Sequence, residues 1–193
     1  MTGVVLSGGQ SKRMGTDKGM IITESKSWVN LAFEKLDGLC KQVVVSVNPS
    51  QLPVYTEYVE ANLVPDDPSI QVNGPLHGLL SVHTKFPAED LLVLACDMVG
   101  MHSMVLENLI ESQLSQPGFE MYVYNNDDGY QPTAAIYSAS LLEEILLQSR
   151  MGILGKFSLK HIIENSNAFV LPVSDQWNPY FVNYNFKEDI DFQ

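Results

Sequence analysis

Short runs of Val and Leu alternate along this chain with segments whose apolar residues recur at helical spacing. Residues 3–6 form a candidate buried strand, and residues 91–95 are a continuous apolar run of the kind that a sheet buries on both faces. Between them, residues 28–39 carry Val29, Ala32, Phe33 and Leu36 at the i, i+3, i+4, i+7 spacing of one helix face. A second strand is predicted over 42–47 and ends at Asn48-Pro49. A short helix follows over 55–61, then a loop over 65–75 in which Pro65 and Pro68 bracket Asp66-Asp67. Gly74-Pro75 introduces a third helix over 76–86, and a fourth is predicted over 104–114 with Ser103 as its cap. Residues 120–124 and 133–137 flank a turn signal at 125–129, which reads as an antiparallel hairpin or a pair of neighbouring strands. Helices over 139–148 and 159–164 and strands over 169–173 and 180–182 complete the pattern. There is no internal repeat, low-complexity stretch or linker.

The β-α-β-α order of the first half predicts a parallel sheet with helices on both faces. The expected fold class is therefore α/β: one Rossmann-like domain over 1–193 with a mostly parallel sheet. Ligands of such sheets sit outside the carboxyl ends of the strands. That rule selects residues 7–18, 48–49, 66–75 and 96–98 as the places to look for chemistry. Composition agrees, since 45% of the 193 residues are apolar and 18% charged, which excludes wholesale disorder and permits a sizeable core.

Charge sharpens the question. Eleven Lys+Arg against 23 Asp+Glu leave a net charge of −12, so nucleic acid and anionic membrane are poor partners. If the substrates are anions, the few cations must be concentrated at one place. Cys40 and Cys96 stand alone with no metal-ligand spacing, and they read as small buried hydrophobes in a reducing compartment. The start of the chain lacks a basic segment followed by an apolar one, and no window approaches about 18 consecutive apolar residues. The expectation is a cytoplasmic protein.

The stretch after the first strand concentrates the cations. Leu6-Ser7-Gly8-Gly9-Gln10-Ser11-Lys12-Arg13-Met14-Gly15-Thr16-Asp17-Lys18 contains neither G-x-G-x-x-G nor a Walker A lysine, which disfavours dinucleotide oxidoreductases and P-loop enzymes. Adjacent glycines let a backbone approach a ligand and turn its N–H groups inward. Lys12, Arg13 and Lys18 are three of only eleven cations. Together they read either as a local anion site on an acidic protein or as a solvated surface loop with ordinary positive charge, and the position after the first strand of an α/β sheet favours the former.

This run resembles the signature of the molybdenum cofactor guanylyltransferases, close to L-[AS]-G-G-x-S-x-R-M-G-x-D-K, and matches each fixed position. Gly74-Pro75-Leu76-His77-Gly78-Leu79 resembles the GPLxGL segment of that family, and Ala95-Cys96-Asp97 its PCDxP segment. Gln131-Pro132 with Ala135-Ile136-Tyr137 resembles its QPL-x-A-L-Y strand, and residues 183–189 its NxNTPED end. The departures are Ala95 and Val99 where the family carries prolines, and Asn-Phe-Lys-Glu-Asp in the tail; they bear on the path of the 97–103 loop. The resemblance implies a nucleotidyltransferase fold of the GT-A-like type and an Mg²⁺-dependent transfer of GMP from GTP to the terminal phosphate of molybdenum-molybdopterin. Molybdoenzyme chaperones are further candidate partners.

By the same resemblance, nucleotide contacts fall to Leu6, Ser7, Gly8, Gly9, Lys18, Asn48, Asp66 and Asp97, and acceptor contacts to Asn183, Asn185 and Lys156. Asp97 should emerge at the carboxyl end of a buried strand, where one carboxylate with phosphate oxygens and waters suits Mg²⁺. Lys18 and Arg13 are expected to offset charge at the α-phosphorus and on departing pyrophosphate. Asp66 is the first choice for the loop aspartate, although spacing also permits Asp67. Asn48 fits either a nucleotide contact or a plain turn after a strand. Arg150, Lys156 and Lys160 around Gly152 and Gly155 fit either a second phosphorylated substrate or a solvated helix end. His77, His83, His102 and His161 share no ligand spacing; His77 and His102 lie near the expected cleft and read as supporting residues. No Ser-His or Cys-His arrangement calls for a covalent intermediate. The rival readings are a cytidylyl- or sugar-phosphate nucleotidyltransferase and a non-catalytic cofactor carrier. Gly8, which lacks a methyl group, leaves room that suits a purine.

Overall fold

The computed structural model describes residues 1–8, 17–23, 25–156 and 158–184. Three apolar strands form its centre: β1 (Thr2–Leu6), and, after the two-residue strands β2 (Ile22–Thr23) and β3 (Lys26–Ser27), β4 (Val43–Val47); the third is β6 (Leu91–Ala95), after the edge strand β5 (Asn62–Pro65). Each of β1, β4 and β6 is buried along its whole length, as Val- and Leu-rich runs covered on both faces must be. They pair in parallel, with β1 in the middle: Leu6 lies opposite Ser46 on one side and Ala95 on the other. With β7 (Met121–Asn126), β8 (Gly129–Tyr137) and β9 (Ala168–Pro172), the sheet has seven strands in the order β5-β4-β1-β6-β8-β7-β9. Only β8 runs against the rest, pairing antiparallel with both β6 and β7. The fold is the mostly parallel α/β sheet expected.

Helices cover both faces because alternate strand residues point opposite ways. Val5, Val45, Leu92 and Leu94 pack with residues of α1 (Trp28–Leu36), α2 (Leu52–Tyr58) and α4 (Ser103–Ser115). Val4, Leu6, Val44, Leu91 and Val93 pack with residues of α3 (Pro75–Lys85), α5 (Ala139–Arg150) and α6 (Leu159–Glu164). Among the described residues, no helix is long and apolar enough to cross a membrane.

Several boundaries differ from the sequence pattern for local reasons. Helix α1 stops at Leu36 rather than 39, because Asp37 turns extended and Gly38 adopts φ 86°. Helix α2 begins before 55, since Asn48 starts a 3-10 turn over Pro49–Gln51 that runs into it. The edge strand β5 has no counterpart in the sequence pattern: it is four residues long and only Val64 is buried. Ser103 is not the cap of α4; His102 is, its Nδ1 accepting from Met104 N–H at 3.2 Å. The strand expected over 180–182 is instead part of a 3-10 turn, Asn178–Phe181. Pro179 lacks the N–H a ladder needs, and Phe181 is buried with its ring 5.1 Å from that of Tyr124.

Helix α3 crosses β4 so closely that a Cβ on Gly78 would stand 2.3 Å from Ser46 Oγ. Among the described residues that buried hydroxyl has no hydrogen-bond partner. Gly78→Ala should destabilise the protein by about 1–2 kcal/mol despite the better helix propensity of alanine. In a Ser46→Ala background the loss should shrink, and urea denaturation of the four members of this cycle measures it.

Candidate active site

From β1 the chain moves outward to β4 and β5, then returns to β6 on the other side of β1. The strand order therefore reverses between β1 and β6, and an open α/β sheet binds its ligands at the carboxyl ends on either side of such a point. Here Ser7 and Gly8 leave β1 and Asp97 leaves β6. The ladder continues past both strands: Ser7 N–H donates to Ser46 O at 3.1 Å, and Cys96 N–H to Leu6 O at 3.1 Å.

A cation meets an anion at this point. Lys18 Nζ lies 3.0 Å from Asp97 Oδ2, with the two side chains 25% and 21% exposed. Water still reaches both groups, so a phosphate and a cation can enter between them. The sequence places these residues 79 positions apart, and the fold brings them into contact.

A part-buried polar cluster holds Lys18 from behind. Asp17 Oδ1 accepts from Gly19 N–H at 3.0 Å and from Tyr55 O–H at 2.9 Å, while Oδ2 accepts from the Gln51 side-chain amide. Tyr55 gives its one proton to the bond with Asp17, so Ser7 O–H is the donor in the hydrogen bond between Ser7 and Tyr55. Burial raises the Tyr55 hydroxyl far above its ordinary range, which keeps it a donor. Gln51 also donates to Ser7 O at 3.1 Å and accepts Asn48 N–H at 2.6 Å. Gly19 is required, since a Cβ there would stand 2.2 Å from Tyr55 Oη and 2.3 Å from Ser7 Oγ. Asp17 is thus an anchor. Tyr55 and Gln51 lie far from the glycine stretch in sequence, and no pattern marks them.

Asn48 and Asp66 reach the same edge. Asp66 N–H donates to Val47 O at 3.0 Å, so β5 delivers the aspartate beside the end of β4. A Cβ built on Gly8 would lie 3.6 Å from Asn48 N and 3.9 Å from Asp66 Oδ2, both ordinary contacts. The Asn48 Oδ1 accepts from Ser50 N–H at 3.0 Å and Ser50 O–H at 2.9 Å. Asp67 faces elsewhere: its Oδ1 accepts from Ser69 N–H at 2.8 Å, and these bonds hold its carboxyl below the usual range. Burial instead raises Asp66, against the opposing charge of His77.

The loop after Asp97 is tied down on three sides. Tyr184 N–H donates to Asp97 O at 2.9 Å, which brings exposed Asn183 beside the aspartate. Met101 N–H donates to Met98 O at 3.0 Å, and the Lys35 ammonium donates to Val99 O. Burial lowers Lys35 to about 8. Cys96 is buried, and desolvation with the neighbouring Asp97 charge pushes its thiol up to about 12, which excludes a thiolate nucleophile near neutral pH. Cys40, half-buried, is pushed up to about 11. Lys156 is exposed between α5 and α6, and no described contact joins it to Lys18 or Asp97. Gly9, Lys12, Arg13 and Asn185 lie outside the described residues.

A switch-point crevice with a glycine-bearing strand exit, a lysine and a strand-end aspartate defines an α/β nucleotide-binding transferase. The MobA-like NTP transferase domain family matches residues 3–169, and the chain belongs to that family. It is a nucleotidyltransferase. It is 25% identical over its whole length to the probable molybdenum cofactor guanylyltransferase of Geobacillus sp., of which it covers 96%. It is 32% identical over 66% of its length to the molybdenum cofactor biosynthesis bifunctional protein of Synechocystis sp., spanning 36% of that longer protein. The crystal structure of molybdopterin-guanine dinucleotide biosynthesis protein A from Archaeoglobus fulgidus superposes with a TM-score of 0.79 at 23% identity, over 99% of this chain and 95% of that one.

Tyr55→Phe deletes one hydroxyl from the cluster and leaves Asp17 short of a donor. It should lower stability by about 1–2 kcal/mol, measured by urea denaturation.

Proposed function

We propose that this protein transfers GMP from GTP to the terminal phosphate of molybdenum-molybdopterin in the cytoplasm, giving the guanine dinucleotide form and pyrophosphate. The observation that carries the reading is the Lys18–Asp97 pair at the switch point, in a chain whose relatives include a probable molybdenum cofactor guanylyltransferase. In the transfer, an oxygen of the acceptor phosphate forms a bond to the α-phosphorus of GTP. The bond from that phosphorus to the bridging oxygen breaks, and pyrophosphate leaves with its electron pair. The acceptor is already ionised at neutral pH, so no strong general base is needed, and the chain's task is positioning and charge neutralisation.

Each residue near the crevice suits a part of that task. Lys18 offsets charge on the phosphates, and the Asp17–Tyr55–Gln51 cluster keeps its backbone in place. Gly8 has room for a methyl group in the protein's own packing, so its glycine serves a ligand that lies against it. Asp66 rather than Asp67 fits the nucleotide contact, because its carboxylate faces Gly8 while that of Asp67 is engaged by Ser69. Asn48 offers its side-chain amide N–H groups, its Oδ1 being engaged by Ser50. Asn183, carried to Asp97 by the Tyr184 hydrogen bond, fits the acceptor side. Arg13, Gly9 and Asn185 keep the roles assigned from the sequence, and Lys156 is the weakest acceptor contact.

The donor set fits Mg²⁺ of the substrate-borne kind. Among the described residues no group of three His, Cys, Asp or Glu could hold a metal, and Mg²⁺ commonly uses one or two carboxylates with phosphate oxygens and waters. Asp97 would hold it, and the ion when bound neutralises phosphate charge.

Pyrophosphate release with GTP, Mg²⁺ and molybdopterin tests the reading, with CTP, ATP and UTP as competitors; faster turnover with CTP would overturn it. Asp97→Asn should leave the melting temperature near that of the wild type and abolish metal-dependent turnover, read by the same assay. Lys18→Ala should lower kcat and kcat/KM together, by about a hundredfold, with little change in stability. A rise in KM for GTP alone would make Lys18 a uniform binding residue.

A further inference from the structure

Asp66 and His77 face one another in a way that the transfer chemistry does not use. His77 stands in the first turn of α3, and its Nε2 lies 2.8 Å from the carbonyl oxygen of Asp67. A carbonyl only accepts, so Nε2 carries the hydrogen, and in the neutral ring Nδ1 is a bare acceptor. That Nδ1 lies 3.9 Å from Asp66 Oδ2, with the two side chains only 21% and 14% exposed. At this separation a neutral imidazole sets acceptor against acceptor. A proton on Nδ1 turns the same geometry into an attraction and leaves the carboxylate charged.

Among the described residues, His77 is the group whose charge bears on Asp66. Burial raises Asp66 above the usual carboxylate range, and His77 is the group whose charge opposes the rise. Of the other charged groups nearby, Asp67 is bonded to Ser69, and Lys85 at the far end of α3 acts on Asp67. Asp66 Oδ2 is also the oxygen turned toward Gly8.

We propose that His77 is a positioning residue for the nucleotide: as the pH falls, its imidazolium keeps Asp66 an acceptor-only carboxylate for the N–H or O–H donors of the nucleoside. The inference rests on Asp66 as a nucleotide contact. The sign follows from the raised carboxyl: its ionised form is lost as pH falls through its folded value. A positive charge on the neighbouring ring favours the ionised carboxylate and moves that loss to lower pH. Removing His77 therefore makes the loss of nucleotide binding begin at higher pH.

Isothermal titration of GTP with Mg²⁺ into the wild type, Asp66→Asn and His77→Gln, from about pH 5 to about pH 8, tests this. Glutamine is the suitable replacement because its amide can still donate to Asp67 O. His77→Gln should bind within about twofold of the wild type at about pH 8 and progressively more weakly than the wild type as the pH falls toward about 5. Asp66→Asn should bind more weakly throughout, and adding His77→Gln to it should change nothing further. Protonation of GTP itself is common to all variants and cancels in the ratios. If His77→Gln follows the wild type at every pH while Asp66→Asn is impaired, the role of His77 is overturned and the Asp66 contact stands. If Asp66→Asn binds as the wild type does, both fall together. Should His77→Gln fail to fold, NMR titration of the His77 ring decides: Asp66→Asn should lower its midpoint, and an unchanged midpoint would overturn the proposal.

Discussion

The parallel pairing of β1 between β4 and β6 is the constraint on which the rest depends. All three strands are buried along their length, so their backbone groups must be satisfied by neighbouring strands, and β1 finds both of its neighbours in β4 and β6. A slip of one residue would turn Val4 and Val5 each to the wrong face, against the wrong set of helices. The register that survives brings Leu6, Ser46 and Ala95 level. The three chains then leave the sheet together, and Ser7, Asn48 and Asp97 stand on one edge without any of them having been placed there individually.

That edge must collect anions on a protein of net charge −12. The solution is local. Asp17, which precedes Lys18 and would compete with a phosphate, has both carboxylate oxygens occupied by Gly19, Tyr55 and Gln51. Its charge is satisfied inside the protein, while the ammonium of the next residue faces the crevice and Asp97. The cost is a part-buried cluster of polar groups, acceptable because each has a partner.

The segment after β6 meets a similar demand differently. Where the related family carries prolines, this chain has Ala95 and Val99, and the stiffness a proline ring would lend is absent. Hydrogen bonds replace it: Lys35 from α1 reaches Val99 O, and Tyr184 from the far end of the described chain reaches Asp97 O. Pro179 O and the Tyr184 ring also lie against Gly100. This end of the crevice is thereby built partly from residues of the C-terminal third, which brings Asn183 close to Asp97.

Periodicity and turn residues along the chain were sufficient for the parallel sheet, for helices on both faces and for the edge that carries the candidate site. Those features follow from burial, and burial is written into each strand as an unbroken Val or Leu run. Asp97 was visible as a candidate because it lies just beyond such a run; Lys18 was visible because the scarce cations cluster in the stretch that follows the first strand, which resembles the family signature. What the linear pattern left open were contacts made across the fold. Strand β5 is four residues at a half-exposed edge, too short for a period of two to register. His102 caps α4 although Ser103 beside it is the commoner cap, because the path of the preceding loop decides which residue faces the free N–H groups. Tyr55, Gln51 and Lys35 carry no motif, since a hydrogen bond between residues 38 or 64 positions apart constrains distance in space and leaves spacing along the chain unconstrained.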